Sequence, residues 1–276
     1  MKVTVLGSQG MAGHMVSAYL RSQGHDVTDV TRAVMDVEKS YQVQQWLGTL
    51  ETDFVVNCIG LLVRPCAERP DRAAMINAWF PQYLAHQLAK THTRLIHLST
   101  DCVFDGQDGP YAESHPHTEL NAYGRSKSLG EVNNAKDITM RMSIIGPELR
   151  NGTGLLHWVT ANPDVELPGW NNALWNGITT LQLAKCIDRW IQDPAATGIY
   201  HVVNNDVNIN KYELLQVINR VYQQGKTVIE TQGPKTVNKI LKDTRREIDW
   251  GIPDYDQQLE ELRGFDPLAH VPPATT

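Results

Sequence analysis

The chain has 276 residues, of which 41% are hydrophobic and 20% are charged, and this composition is typical of a folded globular protein rather than of a disordered or collagenous one. At about 100–200 residues per domain, the length allows one large domain or two small ones. The 25 basic and 31 acidic residues give a net charge of −6, so the chain lacks the strongly basic character of most nucleic-acid-binding proteins, and we expect no nucleic-acid partner.

Cysteine spacing and hydropathy argue against a zinc protein, a membrane protein and a secreted protein. No Cys-x-x-Cys pair occurs among Cys58, Cys66, Cys102 and Cys186, which predicts reduced thiols and no zinc site. The most apolar stretch, residues 54–63, has about half of the ~20 residues that a membrane helix needs. The apolar run at residues 3–6 is shorter than the ~7–15 residues of a secretory signal. We therefore expect a cytoplasmic protein with no membrane partner.

Short β-branched runs alternate with helical patterns in the first half of the chain. The predicted strands are Lys2–Leu6, Asp26–Thr31, Phe54–Cys58, Arg94–Ser99 and Ile138–Met142. The predicted helices are Met11–Ser22, Ser40–Leu50 and Asp71–Ala89. Strand and helix alternating in this way predict an α/β fold of the Rossmann type, a doubly wound parallel sheet with helices on both faces.

The second half is less regular. A stretch rich in Trp, Asn, Pro and Gly, Asn162–Gly177, is predicted to be a loop. The predicted elements after it are a helix at Thr180–Gln192, a strand at Gly198–Val203, a helix at Asn210–Gln223 and a last helix after Pro253, followed by a tail at 270–276 that we expect to be disordered. We expect a Rossmann domain formed by residues 1–150 and 172–205, and a smaller C-terminal substrate lobe formed by 151–171 and 206–276.

A glycine motif, Gly7-Ser8-Gln9-Gly10-Met11-Ala12-Gly13, follows the first predicted strand and opens the first predicted helix. In this context the glycines allow a tight turn, a close approach to a pyrophosphate and a close helix–strand contact. The anion would lie at the helix N-terminus. The motif predicts a dinucleotide site that includes Gly7, Ser8, Gln9, Gly10 and Met11.

The end of the second predicted strand indicates which dinucleotide binds. An acid there accepts hydrogen bonds from the ribose hydroxyls, whereas an Arg accommodates a 2′-phosphate. This chain has Arg32, and its acidic candidates Asp26 and Asp29 lie earlier in the strand. We therefore expect NADP to be preferred over NAD. In the alternative interpretation, Arg32 is a solvated surface cation and both cofactors are accepted.

Three polar residues have the chemistry of a carbonyl-reducing site. Tyr123 and Lys127 are four residues apart, which places a phenol and an ammonium on one helix face. Thr100 follows a predicted parallel strand, at the edge where open α/β sheets bind ligands. A nearby cation lowers the pKa of a phenol from its reference value of about 10, which makes the phenol a usable proton donor. The Thr100 hydroxyl could hold a substrate carbonyl beside it.

Longer motifs extend this pattern. They are residues 99–106 (Ser-Thr-Asp-Cys-Val-Phe-Asp-Gly), Tyr111-x-Glu113, residues 121–127 (Asn-Ala-Tyr-Gly-Arg-Ser-Lys), Gly130-Glu131, Arg141-x-Ser143 and residues 177–180 (Gly-Ile-Thr-Thr). With the glycine motif, they resemble the extended short-chain dehydrogenase/reductases, and within these the dTDP-4-dehydrorhamnose reductase family. The resemblance runs from Val3 to about Ile187. It implies NAD(P)H-dependent reduction of a 4-keto-6-deoxy sugar nucleotide in deoxysugar or polysaccharide biosynthesis, by a monomer or homodimer.

The same resemblance assigns roles to individual residues. It implies a catalytic triad of Thr100, Tyr123 and Lys127. The further cofactor-binding residues that it implies are Arg32, Asp36, Val37, Cys58, Ile59, Gly60 and Ser99, together with Tyr123 and Lys127. The substrate-binding residues that it implies are Asp101, Val103, Phe104 and Asn176.

Three departures from the family pattern bear on function. The loop after the third strand usually reads Asn-Ala-Ala-Ala-Tyr-Thr, but residues 57–62 here read Asn-Cys-Ile-Gly-Leu-Leu, so the identity of the sugar stays open. Some members hold magnesium through an acid just after the third glycine, where this chain has His14 and Met15, and we expect no metal. Related dehydratases carry an acid where this chain has Cys102, which argues against dehydration.

Two other functions remain open from sequence. Regulatory proteins that keep this fold and its dinucleotide site exist among relatives of the family, so the chain could be a non-catalytic binding module. It could also be a sugar-nucleotide epimerase of the same superfamily. The intact set of Thr100, Tyr123 and Lys127 favours the reductase.

Overall fold

The structure of the protein is a computed structural model that describes residues 1–150 and 152–270. Its strands are β1 Lys2–Leu6, β2 Asp26–Val30, β3 Phe54–Asn57, β4 Arg94–Thr100, β5 Ile138–Met142, β6 Ile144–Ile145, β7 Glu166–Trp170, β8 Ala173–Trp175, β9 Ile178–Thr179, β10 Gly198–His201, β11 Ile209–Asn210, β12 Thr227–Thr231 and β13 Val237–Asn238.

The main helices are α1 Met11–Ser22, α2 Ser40–Gly48, α3 Val63–Glu68, α4 Pro70–Ala73, α5 Phe80–Leu88, α6 Ala122–Gly130, α7 Leu155–Ala161, α8 Thr180–Gln192, α9 Lys211–Val221 and α10 Tyr255–Gly264. None of the helices in the described part of the chain combines the length and the hydropathy needed to cross a bilayer.

The central sheet has six strands in the order β10-β5-β4-β3-β1-β2, and all neighbouring pairs are parallel. From β1 the chain continues to β2 on one side and then returns to β3 on the other side. This reversal creates a crevice at the carboxyl ends of β1 and β3, which is where open α/β sheets bind ligands. The predicted Rossmann-type fold is confirmed.

Helices cover both faces of the sheet because its inner strands are apolar on both sides. All four residues of β3 are buried, as are all five of β5, which is typical of strands with helices on both faces. On one face α1 and α8 contribute Val16, Leu20 and Ile187 to the core. On the other face α2 and α5 contribute Val43 and Phe80.

The prediction of a loop at residues Asn162–Gly177 is wrong. Strand β7 pairs in parallel with β12, and β8 pairs with both β11 and β13. In β7 exposed and buried residues alternate, and Leu167 enters a second core with residues of α9 and α10. The Pro and Gly residues of β7 conceal this alternation in the sequence, and its partner strand β12 pairs with it at a separation of 61 residues.

The long helix predicted at Asp71–Ala89 is interrupted. Between α4 and α5 the backbone forms a π-helical turn over Ala74–Trp79, and Pro81, which has no N–H, follows it in the first turn of α5. The turn contains Asn77, whose side chain bonds the backbone of Leu61 in both directions (2.7 and 2.9 Å) and donates to Ser126 of α6 (3.1 Å). The π-helical turn therefore joins the loop after β3 to α6. Residues 271–276 of the tail expected to be disordered lie outside the described residues.

Candidate active site at the carboxyl ends of the strands

The glycine motif forms a tight turn between β1 and α1. Gly7 has a positive φ of +73°, and a Cβ atom on Gly13 would lie 2.2 Å from the carbonyl oxygen of Gly7, so neither position accommodates another residue without strain. Gly10 is the N-cap of α1, no side chain caps this end and no acid lies in the first turn. A backbone anion site of this kind fits the pyrophosphate of a dinucleotide.

Replacing Gly13 by Ala tests this turn. The added methyl group would overlap the Gly7 carbonyl, so the turn must open, and we expect the affinity for NADPH to fall at least about 10-fold, equivalent to 1.4 kcal/mol. Isothermal titration measures the change. The control is Gly48→Ala, because no atom lies within 4 Å of a Cβ at Gly48. Equal affinities of the Gly13 variant and the wild type would mean that the turn does not hold the cofactor.

The loop after β3 lies against the glycine turn. A Cβ on Gly7 would be 3.1 Å from Ile59 and 3.3 Å from the carbonyl of Cys58, so the two residues lie beside the proposed dinucleotide site, followed by Gly60. Burial raises the pKa of the Cys58 thiol to about 12, and Cys58 is therefore neutral and chemically inert near pH 7.

The residues after β2 form an ion-paired surface cluster. Arg32 is 68% exposed in its side chain and donates to Asp36 at 3.3 Å and to Glu38 at 2.8 Å. Val37, between the two acids, is buried among apolar residues. Arg32 is accordingly a paired cation whose guanidinium faces solvent on the remaining sides.

Thr100, Tyr123 and Lys127 lie together at the end of β4. Thr100 is the last residue of the strand, and its hydroxyl accepts the N–H of Cys102 (3.1 Å) and donates to Asp101 (3.0 Å). Helix α6 carries Tyr123 and Lys127 on one face. The ammonium of Lys127 is buried and donates to the carbonyl of Leu98 in β4 at 2.6 Å.

The electrostatics of the three residues differ from the expectation. Burial raises the pKa of the Tyr123 phenol above its ordinary value, Cys102 and Asp101 add to this rise, and a hydrogen bond with Thr100 opposes it. Burial also lowers the pKa of Lys127 to about 8. The pKa of the phenol is thus raised instead of lowered in the free protein, since desolvation outweighs the opposing hydrogen bond with Thr100.

The residues predicted to bind substrate have different surroundings. Asp101 is buried directly beside Thr100. Val103 and Phe104 are completely buried in a small apolar cluster, where Phe104 stacks on Tyr111 at a centroid distance of 4.1 Å. Neither side chain is exposed in this structure, so a contact of Val103 or Phe104 with substrate stays a prediction that their side chains do not support.

The side chain of Asn176 is occupied by the protein itself, and its role in substrate binding stays a prediction. Its amide donates to the carbonyl of Leu241 (2.7 Å) and accepts from the N–H of the same residue (3.0 Å). The side chain is buried, so both of its polar ends are occupied by the backbone. Asn176 holds the C-terminal segment in place instead of presenting a free amide to a ligand.

A buried ionic network lies beneath the site. Ser99 donates to Glu131 at 2.5 Å, and the fully buried guanidinium of Arg141 donates twice to the same carboxylate, at 2.8 and 2.6 Å. Arg141 also donates to His117 (2.9 Å) and His201 (2.8 Å). The sequence motifs include Glu131 and Arg141 but indicate no contact between them.

Lys239 is a residue of the site that sequence reasoning missed. Its ammonium lies 3.5 Å from Glu119, and the charges of Cys102, Asp101 and Glu119 raise its pKa although burial opposes the rise. Glu119 in turn accepts the N–H groups of Leu120 and Asn121, immediately before α6. Lys239 comes from the end of β13, and no local motif marks it.

Comparisons with known proteins agree with this geometry. Residues 1–147 match the family described as RmlD substrate binding domain. The dTDP-4-dehydrorhamnose reductase of Streptomyces griseus is 33% identical over 216 residues, 72% of this chain and 69% of the relative. The spore coat polysaccharide biosynthesis protein SpsK of Bacillus subtilis is 29% identical over 213 residues, 75% of this chain and 74% of the relative.

A solved structure of similar fold is that of the dTDP-4-dehydrorhamnose reductase of Bacillus anthracis in complex with NADP. It has a TM-score of 0.82 at 21% identity and covers 95% of this chain and 98% of that chain. Other curated relatives align over 45% of their own length. The family match covers more than half of the chain, and the chain therefore belongs to the RmlD substrate binding domain family; it is also similar to proteins named dTDP-4-dehydrorhamnose reductase.

Proposed function

We propose that the protein is an NADPH-dependent reductase that converts the 4-keto group of a nucleoside-diphosphate 4-keto-6-deoxy sugar to a hydroxyl. The observation that carries the proposal is the grouping of Thr100, Tyr123 and Lys127 at the end of β4, on the same edge of the sheet as the glycine turn. Family membership and the names of the relatives support the same substrate class.

Each of the three residues has a distinct role in this proposal. Tyr123 is protonated before the reaction and donates its phenolic proton to the carbonyl oxygen, although burial raises its pKa and makes the phenol a weaker acid in the free protein. Thr100 donates a hydrogen bond to the same oxygen when it turns away from Asp101. Lys127 holds the ribose of the nicotinamide nucleotide. Reduced nicotinamide, when bound, supplies the hydride.

Around these residues, the cofactor would contact the glycine turn, Asp36 and Val37 after β2, Cys58, Ile59 and Gly60 after β3, and Ser99 in β4. In the proposed division of the chain, 151–171 and 206–276 form the lobe that binds the sugar. The strand pair β7–β12 lies entirely within those two segments. Strand β8, at 173–175, pairs with β11 and β13 of that lobe, which favours placing β8 with the lobe and not with the Rossmann domain. The four free thiols favour a reducing compartment, and we place the protein in the cytoplasm.

The reductase activity is tested by NADPH oxidation with a panel of nucleotide-linked 4-keto-6-deoxy sugars. We expect loss of absorbance at the nicotinamide band with at least one 4-keto sugar and none with the matching 4-hydroxy sugars. Tight NADPH binding without oxidation across the panel would favour a non-catalytic module. A fresh preparation that retains bound NAD and interconverts 4-hydroxy sugars would instead indicate an epimerase.

The preference for NADP is tested by Arg32→Ala. If Arg32 binds the 2′-phosphate through charge-assisted hydrogen bonds, the variant should bind NADPH about 5- to 150-fold more weakly, a loss of roughly 1–3 kcal/mol, and NADH almost unchanged. The difference should shrink at high salt, because Arg32 is exposed. Parallel titrations of both reduced cofactors measure it. Equal losses for the two cofactors would make Arg32 an ordinary surface cation.

A further inference from the structure

Two arginines from different parts of the chain share one carboxylate near the end of β2. Arg72, in α4, donates to both oxygens of Glu38 at 2.7 and 2.6 Å. Arg32 donates to one of the same oxygens at 2.8 Å. The hydrogen bonds from Arg72 lower the pKa of Glu38, so Glu38 is an anion that bridges two guanidinium groups.

This cluster lies next to the proposed dinucleotide site. The N–H groups of Gly7 and Ser8 both donate to the carbonyl of Val30, the last residue of β2, at 2.9 and 3.5 Å. Arg32 is two residues further along the chain. Arg72 lies in α4, the second helix after the loop of Cys58, Ile59 and Gly60. The two guanidinium groups therefore come from the segments after β2 and β3, the two strands that pair with β1.

The bridging geometry is also the geometry in which arginines bind a phosphate. Guanidinium groups donate paired hydrogen bonds to the oxygens of carboxylates and phosphates alike, and a phosphate monoester carries more negative charge than the single carboxylate of Glu38. Arg32 has most of its side chain exposed, whereas Arg72 is mostly covered. The pair therefore offers an anion site open to solvent on the Arg32 side.

We propose that Arg32 and Arg72 form a two-arginine clamp for the 2′-phosphate of NADP, and that Glu38 is an internal carboxylate that occupies the clamp when no 2′-phosphate is bound. The proposal rests on the NADP preference in the proposed function and assigns Arg72 and Glu38 to it. Glu38 competes with the phosphate, so it weakens the binding of NADPH. It does not affect NADH, which has no phosphate at that position.

Glu38→Gln tests the competition, with adenosine 2′,5′-bisphosphate and 5′-AMP as probes that differ only in the 2′-phosphate. In the variant we expect the Kd of NADPH and of the bisphosphate to fall about 3- to 10-fold, because the competing charge is gone. The Kd of NADH and of 5′-AMP should stay within about twofold. An unchanged or higher Kd for the 2′-phosphorylated probes would overturn the role of Glu38.

The role of Arg72 is tested by Arg72→Gln and by the double variant with Glu38→Gln. In Arg72→Gln alone, NADPH should bind at least about 10-fold more weakly than in the wild type, since one guanidinium is lost and Glu38 still bonds Arg32. If Arg72 merely neutralised Glu38, the double variant would match Glu38→Gln alone. Under the proposal, it binds NADPH at least about fivefold more weakly than Glu38→Gln. Equality of these two would overturn the clamp.

The control is Arg220→Gln, which removes an arginine from another exposed ion pair, with Asp256 on α10. It should leave all four Kd values unchanged. These titrations require no sugar, so they test the clamp separately from the reductase activity. If Arg72 discriminates the cofactors but the protein reduces no 4-keto sugar, the proposed reductase activity is contradicted and the proposed clamp is supported. A wild-type protein that binds neither NADPH nor the bisphosphate would overturn both.

Discussion

Tyr123→Phe should lower kcat by about 10²- to 10⁴-fold, the usual loss on removal of a positioned general acid. Tyr123 is half-buried, its phenol shares a hydrogen bond with Thr100, and its pKa lies above the ordinary value of about 10, so the phenol is protonated near neutral pH. The substitution removes one oxygen and preserves the ring. We therefore expect NADPH affinity to remain within about threefold of the wild type, since the contribution of a single hydrogen bond is about 0.5–1.5 kcal/mol and part of it is replaced by water.

Single-turnover and steady-state kinetics with a reducible 4-keto sugar measure the loss. Tyr41→Phe is the matched control, because Tyr41 is an exposed tyrosine on α2 and its loss should leave kcat unchanged. Wild-type turnover in the Tyr123 variant would assign proton donation to another group.

The second large effect concerns stability and comes from Glu131. In Glu131→Ala the guanidinium of Arg141, which has no exposed surface, loses both of its bonds to a carboxylate. Breaking a buried ion pair from one side destabilises proteins by about 3–5 kcal/mol, because the remaining charge is uncompensated. We expect the free energy of unfolding, measured by urea denaturation, to fall by that amount.

A surface pair provides the comparison. Glu68→Ala removes the partner of Arg64, whose side chain is 90% exposed, and should change the free energy of unfolding by no more than about 1 kcal/mol. Replacing Glu131 and Arg141 together by Leu and Met should be less destabilising than Glu131→Ala, since no isolated charge is left in the core. A small effect of Glu131→Ala would mean that water reaches Arg141.

Local patterns in the sequence were sufficient for the central sheet and for part of the site. Strand and helix boundaries such as Lys2–Leu6, Met11–Ser22 and Ile138–Met142 agree with the structure because apolar periodicity and glycine positions are set within a few residues. The proximity of Thr100 to Tyr123 and Lys127 followed from a strand end and a helical spacing of four. In each case the residues that determine the feature lie close together along the chain.

The features that could not be predicted depend on residues far apart in sequence. The strand at Glu166–Trp170 becomes a strand by pairing with Thr227–Thr231, and nothing in either segment specifies the other. Lys239 reaches the site by following β13. Glu38 looks like an ordinary surface acid until Arg72 is seen beside it. Ion pairs between residues so far apart in sequence produce no periodic pattern, so a single sequence does not reveal them.

The position of Lys239 also bears on the order in which the protein assembles. A chain leaves the ribosome from its N-terminus, so all six strands of the main sheet, through Gly198–His201, are synthesised before the segment around Leu241 and Lys242 that bonds Tyr111 and His201. These late contacts have high sequence separation, and contacts of that kind form slowly. A nascent chain thus has its glycine turn and Tyr123 well before the segment that completes the surroundings of Asp101 has been made.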